Sequence, residues 1–168
     1  MSTRQTTSQP DLNLSPMPRL AIVVSRFNED ITGGLRDGAI EWLGEHGITV
    51  APEDIYYAPG AFELPLLAQS LARTTRYEGV ICLGCVIKGD TAHFEFISLG
   101  ATVGMMQASL ATSTPIAFGV LTTYTEDQAV DRSREDPHNK GREAAAACVE
   151  SLALLRRIWA GPEGRTVA

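Results

Sequence analysis

Four short, continuous apolar runs separated by stretches of helical periodicity constrain the fold of this chain more than any other feature of its sequence. The runs are Arg19-Leu20-Ala21-Ile22-Val23-Val24-Ser25, a second within Ile48–Ala58, then Gly79–Ile87, and Pro115-Ile116-Ala117-Phe118-Gly119-Val120-Leu121-Thr122. Being apolar throughout rather than alternating, they suit strands buried on both faces, as in a parallel sheet. Ile31, Leu35, Ala39 and Trp42 or Leu43 form one helical stripe between them, and Leu64, Leu67, Ala68 and Leu71 form the next. Further helices are predicted from about His93 to Ala111, over Glu126–Arg132, and from about Lys140 to Ile158, the last with Val149, Leu152 and Leu155 on its core face. Strands alternating with helices require right-handed crossovers. The expected fold is therefore an α/β, three-layer α/β/α sandwich with a four-stranded parallel sheet, of the flavodoxin-like kind.

At 168 residues the chain fits one domain with a core of its own, needing neither a disulfide framework nor a metal for stability. Residues 1–17, rich in Ser, Thr, Gln and Pro, are expected to form a flexible tail, 18–160 the domain, and 161–168 a C-terminal tail. A formal net charge of −6 and a pI near 5.0 argue against a nucleic-acid surface and favour small molecules or protein partners. No apolar run approaches the roughly 20 residues that span a bilayer, and a signal-peptide layout is not apparent, so a cytoplasmic protein is expected. Cys82 and Cys85 have the C-x-x-C spacing of redox and metal sites, but within a strand residues i and i+3 point to opposite faces, so both are read as packing residues.

The predicted third helix is apolar on two sides. Phe96, Leu99, Val103, Met106 and Leu110 form one stripe; Phe94, Ile97, Ala101 and Met105 form another. One sheet cannot bury both, so a neighbouring subunit is expected against one of them.

Chemistry concentrates where strands end. Parallel strands place their carboxyl ends on one side of the sheet, so Arg26-Phe27-Asn28, Pro59-Gly60-Ala61-Phe62-Glu63, Lys88-Gly89-Asp90-Thr91 and Thr122-Thr123 are expected to border one shared cleft. Phe27, among polar neighbours, suits stacking on a flat heterocycle; an edge-of-core plug is its alternative. Backbone N–H groups near Gly60 and the Glu63 carboxylate suit a polyol or an amide, with helix capping as the competing role of Glu63. Gly84 to Phe94 carries a strand, a glycine turn and His93 into a helix start, where free N–H groups attract phosphate and an imidazole can move protons. Neither a Walker lysine nor G-x-G-x-x-G is present, which speaks against an ATP or dinucleotide site. Arg132, Arg134, Lys140 and Arg142 flank Glu135-Asp136-Pro137-His138-Asn139, and one arginine there can reach a phosphate.

Taken together, Arg26-Phe27-Asn28, Gly60-Ala61-Phe62-Glu63-Leu64-Pro65, Gly84 to Phe94, Phe118-Gly119-Val120-Leu121-Thr122-Thr123 and Asn139-Lys140-Gly141 resemble the 6,7-dimethyl-8-ribityllumazine synthase family from about Arg19 to Ile158. The resemblance implies condensation of 5-amino-6-(D-ribitylamino)uracil with 3,4-dihydroxy-2-butanone 4-phosphate, without a metal or organic cofactor. By similarity Phe27 stacks on the pyrimidine, Ala61, Phe62 and Glu63 hold the ribityl chain, and Cys85, Val86 and Ile87 meet the pyrimidine through backbone groups. Asp90, Thr91 and Arg132 hold the phosphate, with Lys140 a further substrate-binding residue, and His93 transfers protons. Phe118 and Arg132 come from the adjacent subunit of a homopentamer. Two departures stand out: Lys88 occupies a position that is Arg in many members, and Ser133–His138 replaces a glycine-rich kink that bears on whether pentamers assemble further. A free pentamer is the expectation. A weakly active, ligand-binding paralogue is the competing reading.

Overall fold

All four apolar runs become strands of one parallel sheet in the computed structural model, which describes residues 12–162. The strands are β1 (Leu20–Ser25), β2 (Ile55–Ala58), β3 (Gly79–Ile87) and β4 (Ile116–Thr123), in the order β2-β1-β3-β4. The helices are α1 (Glu29–Glu45), α2 (Leu64–Arg73), α3 (His93–Thr112), α4 (Glu126–Ser133) and α5 (Lys140–Ala160). Register pairs Val24 with Tyr57, Val23 with Cys82, and Ile87 with Thr123, so the carboxyl ends of the strands do line one side.

Strand residues alternate between two apolar layers. Leu20, Ile22, Val24, Ile81, Leu83 and Cys85 face α1 and α5, with Leu35, Leu43, Val149 and Leu152. Ala21, Val23, Val80 and Cys82 face α2 and α3, with Leu64, Ala68, Ala101 and Met105. Cys82 and Cys85 thus lie on opposite faces of the sheet, and Cys82, Cys85 and Cys148 are all free and buried. The expected N-terminal tail straddles the edge of the described residues: 1–11 lie outside it, while Leu14 is buried in the α1–α5 layer and Pro16 O accepts from Arg156 (2.8 Å). A leucine with a socket between two helices offsets the ordering entropy that a polar composition alone does not. Most of the expected C-terminal tail, 163–168, is likewise outside the described residues.

Opposite the strand carboxyl ends, a polar cluster locks the amino-terminal side. The buried Asp54 carboxylate accepts from Arg19 Nε (2.9 Å) and a terminal guanidinium nitrogen of Arg19 (2.7 Å), and from the Tyr77 hydroxyl (2.7 Å), which also meets the Tyr56 hydroxyl (2.7 Å). The Arg19 hydrogen bonds, and then that of Tyr77, hold the Asp54 carboxyl below its ordinary range against the opposing effect of burial. A carboxyl whose folded pKa is depressed stabilises the fold above its unfolded pKa of about 3.9, and that stability is lost as pH falls through the folded value. Asp54→Asn is therefore expected to lower Tm by about 3–6 °C at pH 7, as losing a buried charge-assisted acceptor does. Thermal unfolding in steps below pH 4 should show the gap to wild type closing; a gap independent of pH would count against this role.

Candidate functional site

The ends of β1, β2 and β3 build one concavity. After β1, the Arg26 N–H donates to Ala58 O (2.9 Å), and the Thr32 hydroxyl donates to Ser25 O (2.8 Å), pairing a buried strand-end carbonyl. Asn28 takes the left-handed conformation (φ 57°), which asparagine tolerates better than most residues, and its Nδ2 donates across to Cys85 O (3.0 Å). That turn leaves the Phe27 ring 71% exposed, a standing aromatic rather than a core plug. After β2, Pro59-Gly60 leads into a single 3₁₀ turn, Ala61–Glu63: Ala61 is buried, Phe62 is exposed, and Glu63 makes no side-chain capping bond to α2. At the end of β3, Cys85 is buried while Val86 and Ile87 are partly open. Phe27, Ala61, Phe62, Glu63, Cys85, Val86, Ile87 and His93 together line a cavity of about 490 Å³.

Its lining is an exposed aromatic, a carboxylate free of capping, the carboxyl end of a strand and an imidazole. Burial pushes the Cys85 thiol up to about 11, against a smaller opposing effect of the Asn28 hydrogen bond, so near neutral pH it is a thiol and not an attacking thiolate. The loop from Lys88 to Ala92 runs over the surface into α3. Lys88 N–H donates to Thr123 O (2.9 Å), the Lys88 ammonium lies 3.4 Å from Glu95 and over the Tyr124 ring, and Thr91 Oγ1 accepts a long bond from His93 N–H (3.4 Å). Asp90 and Thr91 are exposed on this loop and line no described cavity.

The expectation of one shared cleft is corrected for Thr122-Thr123, which line a separate concavity of about 410 Å³ with Phe118, Arg132, Lys140 and Glu143. The reason is topological: β4 is the sheet's edge strand, with β3 between it and β1, so its carboxyl end lies beyond the cavity that the other three strands build. Arg142 does not line this concavity: its guanidinium pairs with Glu41 (3.0 Å) and Glu45 (2.7 Å) on α1. Lys140 is paired with Glu143 (2.7 Å), and the Arg132 guanidinium donates to Gln128 O (2.8 Å).

Asn28, Glu143 and Asn139 had no separate role in the sequence reading. The signal for Asn28 was present, a residue tolerant of left-handed geometry between a strand and a helix. Glu143 follows Lys140 by three residues, one turn along the same helix face.

This arrangement defines a doubly wound α/β protein with a partly aromatic cavity at the carboxyl ends of its strands. Residues 17–156 match the family model of 6,7-dimethyl-8-ribityllumazine synthase, and the chain belongs to that family. It is 65% identical over 141 residues to "6,7-dimethyl-8-ribityllumazine synthase 1" of Caulobacter vibrioides, covering 84% of this chain and 92% of that protein. It is 46% identical over 140 residues to the Salinibacter ruber synthase (83% and 90% covered) and 49% identical over 140 residues to that of Syntrophus aciditrophicus (83% and 91% covered). Among the described residues, no helix is long and apolar enough to cross a membrane.

Proposed function

We propose that this chain condenses 5-amino-6-(D-ribitylamino)uracil with 3,4-dihydroxy-2-butanone 4-phosphate to give 6,7-dimethyl-8-ribityllumazine, phosphate and water, the penultimate step of riboflavin biosynthesis, acting in the cytoplasm. The observation that carries this reading is the convergence of Phe27, Ala61–Glu63, Cys85–Ile87 and His93 on one cavity in a chain of this family. Phe27 stacks on the pyrimidine, backbone groups of Cys85 to Ile87 meet its polar edge, and Ala61, Phe62 and Glu63 hold the ribityl hydroxyls. The phosphate sits on the loop carrying Asp90 and Thr91. Two reactive molecules held in register need no strong nucleophile, and His93 moves protons as the imine forms, phosphate leaves and the second ring closes.

Phe118, Arg132 and Lys140 complete the site from an adjacent copy of the chain. Two observations support this composite site. They occupy their own concavity at the edge strand, and α3 presents Phe96, Leu99, Val103, Met106 and Leu110 to solvent while Ala101 and Met105 pack on the sheet. The assembly is a homopentamer, with light scattering of the purified protein as its direct check.

The rate of lumazine formation from both substrates, above the spontaneous reaction, tests the proposal. Saturable enzyme-dependent turnover supports it; binding of the pyrimidine without turnover replaces it with a ligand-binding role. Arg132→Ala is expected to raise the KM for the butanone phosphate by about tenfold through loss of a charge-assisted contact, with the pyrimidine KM within about twofold. Parallel rises in both constants would remove Arg132 from the phosphate.

A further inference from the structure

Asn139 is 2% exposed, and its side chain meets four backbone groups. Oδ1 accepts from Gly141 N–H (2.8 Å), while the two N–H groups of Nδ2 are shared among Gly34 O (3.0 Å), Ser133 O (2.9 Å) and Arg134 O (2.8 Å), one of them bifurcated. The first bond is an ordinary helix cap, and an aspartate or serine would supply it equally well. The other three are different in kind. Three carbonyl oxygens converge on one group, and only a donor can satisfy them, which selects an amide over a carboxylate. Two of these carbonyls belong to the carboxyl end of α4, where helix C=O groups lack intrahelical partners; the third lies within α1.

Arg132 immediately precedes Ser133, and Lys140 follows Asn139 directly, so a single buried amide joins the two segments that carry the cations of the second concavity. We propose that Asn139 is the positioning residue that sets Arg132 and Lys140 at a fixed spacing for the phosphate-bearing substrate. The inference rests on the proposed synthase function. It assigns Asn139 no contact with substrate: its effect passes through the end of α4 and the start of α5.

Asn139→Asp separates the two roles, since it keeps the cap acceptor but turns a carboxylate toward three carbonyl oxygens. Asn139→Ser is the gentler variant, keeping an acceptor and one donor. Both are expected to raise the KM for the butanone phosphate by about tenfold, with the pyrimidine KM within about twofold, as a small displacement of positioning groups does. Gly38→Ala displaces the whole amide without changing its chemistry, because a Cβ there would overlap Asn139 Oδ1 and stand 2.5 Å from Cγ and 2.9 Å from Nδ2, and it should raise the butanone phosphate KM in the same direction. Arg142→Gln, which removes the ion pairs to Glu41 and Glu45 but leaves the backbone contact between α1 and α5 in place, should move neither constant. Folded Asn139 variants with unchanged constants, or with both constants raised alike, would overturn the proposal. Calorimetric titration with inorganic phosphate distinguishes this failure from that of the underlying reading. If the wild-type protein makes no lumazine the synthase reading falls, yet phosphate binding weakened by Asn139→Ser and not by Arg142→Gln still upholds the positioning role; a wild-type protein that binds no phosphate overturns it.

Discussion

His93→Ala is expected to lower kcat by ~10–100-fold while leaving the oligomer intact, at or below the low end of what general acid–base catalysis contributes. His93 is the first residue of α3, is exposed, and borders the same cavity as Phe27 and Glu63. Among the described residues its ring makes no hydrogen bond to protein, so removing the imidazole costs the fold little. What is lost is a proton carrier beside the reacting atoms. Substantial turnover should survive, because positioning of the two substrates comes from groups that the substitution does not touch. Steady-state rates at saturating concentrations of both substrates, with light scattering on the same samples, make the test. A kcat equal to wild type would take His93 out of the mechanism, and a collapse of the oligomer would show that the residue is structural.

How far the sequence could be read depended on whether the deciding physics is local. Gly79–Ile87 was legible to the residue because a glycine opens it and Lys88-Gly89 closes it. The second strand was set within Ile48–Ala58 and is only Ile55–Ala58, since the Pro52-led 3₁₀ turn consumes the residues before it, although Ile48 is buried all the same. On α3 the two apolar stripes were legible from periodicity, and the structure buries one of them against the sheet. The strand-end motifs were legible as a group because parallel strands share a polarity. Their division between two concavities was not, because it depends on strand order, which no local pattern encodes. Asn28 bonds a carbonyl 57 residues away and Asn139 one 105 residues away, so neither side chain's task has a signature within its own segment.

Gly141→Ala is expected to lower Tm by roughly 6–12 °C, against the sign that helix propensity alone predicts. In a helix interior, alanine in place of glycine stabilises by roughly 0.5–1 kcal/mol. Gly141, however, is the second residue of α5 and lies directly on the backbone of α1: a Cβ there would overlap the Leu35 carbonyl oxygen, and would stand 2.6 Å from the Leu35 carbonyl carbon and 2.9 Å from its Cα. A flexible side chain could swing aside, but backbone in the middle of a helix cannot, so the whole α1–α5 seam must open. Overpacking of this kind costs ~3 kcal/mol at the upper end of its usual range, and a chain of this size loses about 2–4 °C for each kcal/mol. Gly33 of α1 supplies the contrast, since a Cβ there meets nothing within 4 Å and Gly33→Ala should raise Tm slightly. Opposite signs in the two thermal scans would establish close helix approach as the reason for glycine at 141; a stabilised Gly141→Ala protein would mean that the seam yields more easily than its backbone contacts imply. A seam forced open would also carry Lys140 outward with α5, so Gly141→Ala should weaken the butanone phosphate in whatever fraction remains folded, linking helix packing to the cations that the concavity presents.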